Sequence, residues 1–481
     1  MIYFAQKMSS YYHRGSEYTR RTFLERSALA ASLVTVGSTP LRAVPQSSPD
    51  IASTDWPRFG CDLRNSRFNA GESTIGRENV GSLALDWTFS AGAPIQNCPA
   101  VVGDTLYFGS WDGYYYAIHS QTGELKWKVH VGVPPYENGW HNIRSSPEYS
   151  GGRIYFGTGD ARVVCLDAET GREVWQTLLD NVPTNEPQIS CSPMIYKGMI
   201  FIGSSSGRAQ IACLDAETGK VRWRFFTVPS SQSAGGSVWT SPAIDEEYDI
   251  LYNVTGSVKG FMPPGPMLYT ESIVAHDLHT GQLLWFDQPR PADVHDLDFG
   301  SHPMIFDAAS PLQRGARRHC VGAGKKEGFF CWDRYTGELY WKAMLTNVSA
   351  SGGPRMSSTA VADNRVVIVS NAMTPKGAMS VTAALHAYTG EIEWWLPNSV
   401  PVRAPVAIAN GVFYQGLLNG GLEALDIRTG RQLWQYQLPS SHRGGFAISS
   451  GRLYTSNGEV SLRGKATTDQ HSIYAFSLGG G

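Results

Sequence analysis

Arg144, Trp239, Arg355 and Arg443 stand at or beside matching points of a pattern that recurs along the chain, and Lys326 lies close to an equivalent point. One long gap in the pattern holds His295-Asp296-Leu297-Asp298. Cations grouped around one aromatic face suit a flat ligand carrying several carboxylates. The indole stacks on the plane, and arginine or lysine fixes the negative groups. The matching point falls three residues before a recurrent proline slot and gives Gln96, Arg144, Ser190, Trp239, Gly300, Met356, Val402 and Arg443, with Arg403 close by. An arginine at a strand end is also commonly just solvated. An aspartate pair in a loop also caps turns, and His295 and His302 beside it read either as ligands or as surface loop histidines.

What must position these residues is a repeat. Thr-Gly-x-x-x-Trp occurs seven times, at Thr122–Trp127, Thr170–Trp175, Thr218–Trp223, Thr280–Trp285, Thr336–Trp341, Thr389–Trp394 and Thr429–Trp434. Each copy follows two short apolar runs, such as Leu106-Tyr107-Phe108-Gly109 in the first. Short β-rich runs with turn signals at this period predict a propeller. Eight small-residue segments, from Ile95-Gln96-Asn97-Cys98-Pro99 to Arg443-Gly444-Gly445-Phe446, face only seven such turns. An eighth blade built from Arg452–Thr455, Ile473–Phe476 and the N-terminal Leu85–Phe89 resolves the mismatch. Trp87 supplies the eighth tryptophan, and the ring closes without a free edge. The fold expected is all-β, an eight-bladed β-propeller closed by pairing its N- and C-terminal strands. The spacing from Thr218 to Thr280 is 62 residues and the next is 56, against 48 for the first two, so binding loops are expected there.

Residues 1–43 read as a twin-arginine-type signal peptide, from Arg20-Arg21-Thr22-Phe23-Leu24 and the apolar run Ala28–Val36, which is too short to span a membrane. Residues 44–80 are then an N-terminal leader and 81–481 the propeller. The segment 1–43 carries six Lys/Arg and two Asp/Glu, leaving 34 basic against 40 acidic residues with no basic block, so nucleic acid is not an expected partner. A periplasmic or secreted location is expected. All seven cysteines lie beyond this segment, so at least one thiol stays free; Cys165, Cys213 and Cys331 fall at inward strand positions. Cys-x-x-Cys-His is absent, so the chain carries no c-type haem of its own.

Longer stretches now matter. Asp55-Trp56-Pro57-Arg58-Phe59-Gly60 through Asn65-Ser66-Arg67-Phe68-Asn69, Gly157–Arg162 before Leu166–Gly171, Trp223–Pro229 with Gly235-Gly236-Ser237-Val238-Trp239, and Lys326–Arg334 occur in this order. In these the chain resembles the pyrroloquinoline-quinone (PQQ) alcohol dehydrogenases, nearest the polyvinyl-alcohol-dehydrogenase-like branch. The resemblance implies PQQ-type repeats and an oxidoreductase that oxidises a small or polymeric alcohol. Electrons would pass to an external acceptor such as a cytochrome c. It implies that the quinone stacks on Trp239, with Lys326, Arg144, Arg355 and Arg443 as cofactor contacts and Asp296 as the general base. Asp298 resembles the extra carboxylate of lanthanide-using branches. The family's metal site also uses a glutamate in blade three and an asparagine after Thr-Gly in blade four, where this chain has Ser204 or Ser205 and Ser257. A calcium or lanthanide ion is expected to be held poorly by Asp298, Ser257 and Ser204, because anionic oxygens supply most of the affinity. The adjacent-cysteine disulfide of several members is missing; Trp140 and His141 stand in that stretch. Two other readings compete: a non-catalytic propeller acting as a protein-binding scaffold, and an enzyme using the same axial pocket for a different ligand.

Overall fold

The computed structural model describes residues 51–133, 143–180, 189–205, 209–228, 234–259, 267–290, 298–325, 328–345, 355–356, 358–371, 380–458 and 471–479. Eight antiparallel sheets follow one another along the chain, each a blade of a propeller. Their innermost strands are Ala100–Val102, Glu148–Ser150, Met194–Tyr196, Ala243–Asp245, Met304–Ala309, Ala360–Ala362, Ala407–Ala409 and Ala447–Ser449. Inner strands are short and mostly buried, whereas outer strands such as Leu125–His130 and Glu173–Leu178 alternate with exposed positions.

The recurrent tryptophan joins neighbouring blades. Trp127 lies against Gly171 of the next blade's Thr-Gly turn, where an added Cβ would come within 2.6 Å of the indole, and its Nε1 donates to the Ala168 carbonyl at 3.0 Å. Gly171 has φ +71°, so both the turn and the ring demand glycine. Trp175, Trp223, Trp285, Trp341 and Trp394 repeat the contact on Gly219, Gly281, Gly337, Gly390 and Gly430. Trp87 packs on Gly123 in the same way, which makes it the eighth tryptophan, as expected. Leu83–Ser90 pairs antiparallel with Ser472–Leu478 as the outer strand of blade eight, and Trp434 of blade seven donates to the Leu83 carbonyl at 2.9 Å. The ring is closed by its two ends.

The leader does more than precede the first blade. Trp56 exchanges hydrogen bonds with Val101 of blade one, and the carbonyls of Pro57, Leu63, Arg64, Ser66 and Arg67 accept from Tyr149, Ile244, Ile305, Val361 and Ile408. Asn69 Nδ2 reaches the Ile448 carbonyl of blade eight at 2.7 Å. These partners all lie in innermost strands, so one short segment bonds directly to seven blades. Blade three is served by a side chain: Ile195 N–H donates to Glu148, whose carboxylate receives Arg58 of the leader at 2.9 Å. Glu148 is fully buried, and burial raises its pKa to about 7 against the pull of Arg58.

Three histidines weigh on the acid stability, His276 and His442 fully buried and His302 half-buried. His276, His302 and His442 each have a pKa lowered to about 3 by burial. Below pH 6.5 the unfolded chain therefore binds three protons that the folded chain refuses, and stability present above that pH is lost as the pH falls towards 3. Glu148 runs the other way over pH 7 to 4.5 and offsets one of them, leaving about 3 kcal/mol per pH unit as the limiting slope. Urea melts should give a markedly lower midpoint at pH 5 than at pH 7.5; equal midpoints would contradict the burial of these rings.

Candidate functional site

The leader contacts fix which residues share a level in the axial funnel. Counting five positions back from Val101, Tyr149, Ile195, Ile244, Ile305, Val361, Ile408 and Ile448 gives Gln96, Arg144, Ser190, Trp239, Gly300, Met356, Arg403 and Arg443. This count gives the residues expected from the proline slot except in blade seven, where it gives Arg403 in place of Val402. Val402 is buried and its N–H is engaged by Asn371 Oδ1 at 2.8 Å. Arg144, Trp239, Arg403 and Arg443 are each partly exposed, and the Arg144 guanidinium lies 5.0 Å from the ring of buried Trp111. Arg355 is described by its backbone, which pairs with Asn371. Asp296, Lys326, His295, Trp140 and His141 lie outside the described residues.

Two residues below the ring runs a belt of hydrogen bonds. Cys98 N–H donates to Ser146 Oγ, Ser146 N–H to Ser192 Oγ, Ser192 N–H to Ser241 Oγ, and Ser241 N–H to His302 Nδ1, at 2.6 to 2.9 Å. The belt explains the Ser-Pro recurrence: the serine ties each blade to its neighbour, and the proline opens a strand without needing a donor. His302 is therefore not a surface loop histidine. It is half-buried, accepts at Nδ1 and packs on Phe59 at 4.3 Å, over which Arg67 also lies. Gly445 makes room for Cys98, since an added Cβ would fall 1.8 Å from its Sγ. All seven cysteines are free thiols; Cys165, Cys213 and Cys331 are buried, as expected.

Blades three to five bring four sequence-derived candidates together. Ser204, at the end of a blade-three strand, accepts from Val238 N–H, the residue before Trp239. Gly236 N–H donates to the Ser257 carbonyl and Gly256 N–H to the Ser237 carbonyl, so the Ser257 segment lies along the approach to Trp239. Ser257 N–H donates to Asp298 Oδ1 at 2.5 Å. Ser204 Oγ is buried and, among the described residues, has no partner. An unsatisfied buried hydroxyl on the residue that bonds the chain just before Trp239 is a candidate contact for a polar ligand atom.

The sequence reading missed two groups here. Lys325 and Glu271 are fully buried and form an ion pair, and the Lys325 Nζ lies 5.0 Å from the Phe299 ring. The usable signal was a lysine closing the otherwise apolar run Cys320-Val321-Gly322-Ala323-Gly324.

The fold is an eight-bladed β-propeller built from one repeated blade. The profile described as glucose/ethanol/alcohol dehydrogenase, beta-propeller domain, matches residues 56–361, and the chain belongs to this PQQ propeller family. The profile described as outer membrane protein assembly factor BamB matches residues 269–480. The chain is 26% identical to a polyvinylalcohol dehydrogenase of Pseudomonas sp, over 80% of this chain and 68% of that protein. It is 23% identical to a lupanine 17-hydroxylase [cytochrome c] of Pseudomonas sp, over 94% and 77%. The crystal structure of quinohemoprotein alcohol dehydrogenase from Comamonas testosteroni superposes with a TM-score of 0.74 at 21% identity, covering 90% of this chain and 82% of that one. No helix among the described residues is long and apolar enough to cross a membrane.

Proposed function

We propose that the chain is an exported quinoprotein that oxidises an alcohol with PQQ and passes the electrons to a separate acceptor. The observation that carries this reading is the convergence of Ser204, Trp239, Ser257 and Asp298 from three successive blades at the level of Arg144, Arg403 and Arg443. When bound, the quinone would supply the acceptor for a hydride from the alcohol carbon. Trp239 gives the plane a floor. Arg144, Arg443, Arg355 and Lys326 supply positive charge for its carboxylates, and Asp296 takes the alcohol proton. The donors present fit the quinone. They fit a hard metal ion badly, because Ser204 and Ser257 offer neutral hydroxyls and Asp298 already spends one oxygen on a backbone N–H.

The experiment that tests this is alcohol-dependent dye reduction by the purified chain from about Val44. Activity that appears on adding PQQ supports the enzyme. Its absence with every alcohol class, despite a folded protein, favours the scaffold reading. Two features give that second reading its weight: the serines at the metal positions and the match of residues 269–480 to the BamB profile.

A further inference from the structure

We propose that the Lys325 ammonium is a built-in cation that excludes a metal ion from this site, so that the quinone is bound without one. The inference rests on the proposed function for its cofactor, although its first test does not. A closed circuit of contacts carries it. Ser257 N–H donates to Asp298; Phe299, next in the chain, bridges to Lys325; Lys325 pairs with Glu271; Glu271 N–H donates at 3.0 Å to the carbonyl of Gly256, which precedes Ser257. The Gly300 and Ser301 N–H groups both donate to the Gly324 carbonyl, holding the Lys325 strand against the Asp298 segment. Two of the three expected metal positions, Ser257 and Asp298, are thus each next in the chain to a residue whose backbone contacts a member of a buried ion pair.

Energetics favours the ammonium. Glu271, whose N–H bonds the carbonyl preceding Ser257, carries the further carboxylate of this circuit, and it is paired with Lys325, the two side chains at 1 and 0% exposure. A metal could recruit Glu271 only by breaking its buried pair with Lys325, and breaking such a pair is strongly unfavourable. The serines cannot make up the difference, since neutral hydroxyls give a hard cation little of its affinity. Gly256 keeps the arrangement tight: an added Cβ would lie 2.9 Å from Ser237 Oγ and 3.2 Å from Asp298 Oδ1. Lysine carries one charge and three N–H donors, enough to orient and polarise an acceptor oxygen through hydrogen bonds.

The test is terbium luminescence excited through the protein's tryptophans, on the chelator-treated chain without quinone. The wild type should show no saturable signal at stoichiometric terbium, and Lys325→Arg should behave the same. Lys325→Ala, which removes the buried positive charge, should gain a saturable signal at least about tenfold above wild type. A saturable wild-type signal overturns the proposal, and so does a Lys325→Ala variant that is folded by circular dichroism yet silent. Should Lys325→Ala fail to fold, the wild type decides through its PQQ titration in chelator, calcium and a lanthanide. Affinities within about twofold support a metal-free site, and a tenfold gain with either ion overturns it. Absence of quinone binding in all three conditions overturns the parent reading instead, and leaves the terbium result standing.

Discussion

Asp296→Asn should lower alcohol turnover by about a thousandfold while quinone affinity stays within a few fold of wild type. The asparagine keeps the size and polarity of the side chain and removes only its capacity to take a proton, so the loss falls on kcat. Asp298 is the rival candidate, two residues along the chain. Its Oδ1 already accepts the Ser257 N–H at 2.5 Å, and a carboxylate that accepts a hydrogen bond is a weaker base. Asp298→Asn should therefore disturb the Ser257 segment and quinone binding more than the proton-transfer step. The pH profile separates the two roles: the acid limb of kcat disappears in Asp296→Asn and persists in Asp298→Asn. An Asp296→Asn enzyme within tenfold of wild type would move the base elsewhere.

Arg58→Ala should destabilise the fold by about 3–5 kcal/mol, because it strips a buried carboxylate of its partner. Glu148 is at 0% side-chain exposure with Arg58 at 2.9 Å, and it also serves the blade-three N–H of Ile195. The pH dependence has a definite sign. In the wild type the folded-state pKa is already raised from 4.5 to about 7, so stability falls between those values as the unfolded carboxylate ionises first. Without Arg58 the folded value rises further, and the window of lost stability extends above 7. The gap between variant and wild type should thus widen from pH 6 to pH 9 in denaturant melts, and Arg58→Ala with Glu148→Gln should close most of it. A gap that narrows with rising pH would contradict the pairing.

The blades were legible in the sequence because each is specified locally, by a Thr-Gly turn and a tryptophan that docks on the next turn's glycine. The closing blade was legible for the same reason, since Trp87 had to find Gly123. The axial ring came from a proline slot, a proxy that slipped by one residue at Val402, where blade seven replaces Ser-Pro with Ala404-Pro405. The belt through His302 was hidden because its contacts join residues about 50 apart that only ring closure brings side by side. The Lys325–Glu271 pair was hidden for a different reason. Its partners are 54 residues apart on different blades, and no local period marks a buried ion pair.

The most direct measurement is a titration of the purified wild-type chain with PQQ, followed by tryptophan fluorescence alongside Trp239→Ala. The account predicts saturable quenching at about one quinone per chain, with affinity lost or at least about thirtyfold weaker once the stacking floor is removed. A wild-type chain that shows no saturation, or a Trp239→Ala chain that binds as tightly, would contradict it.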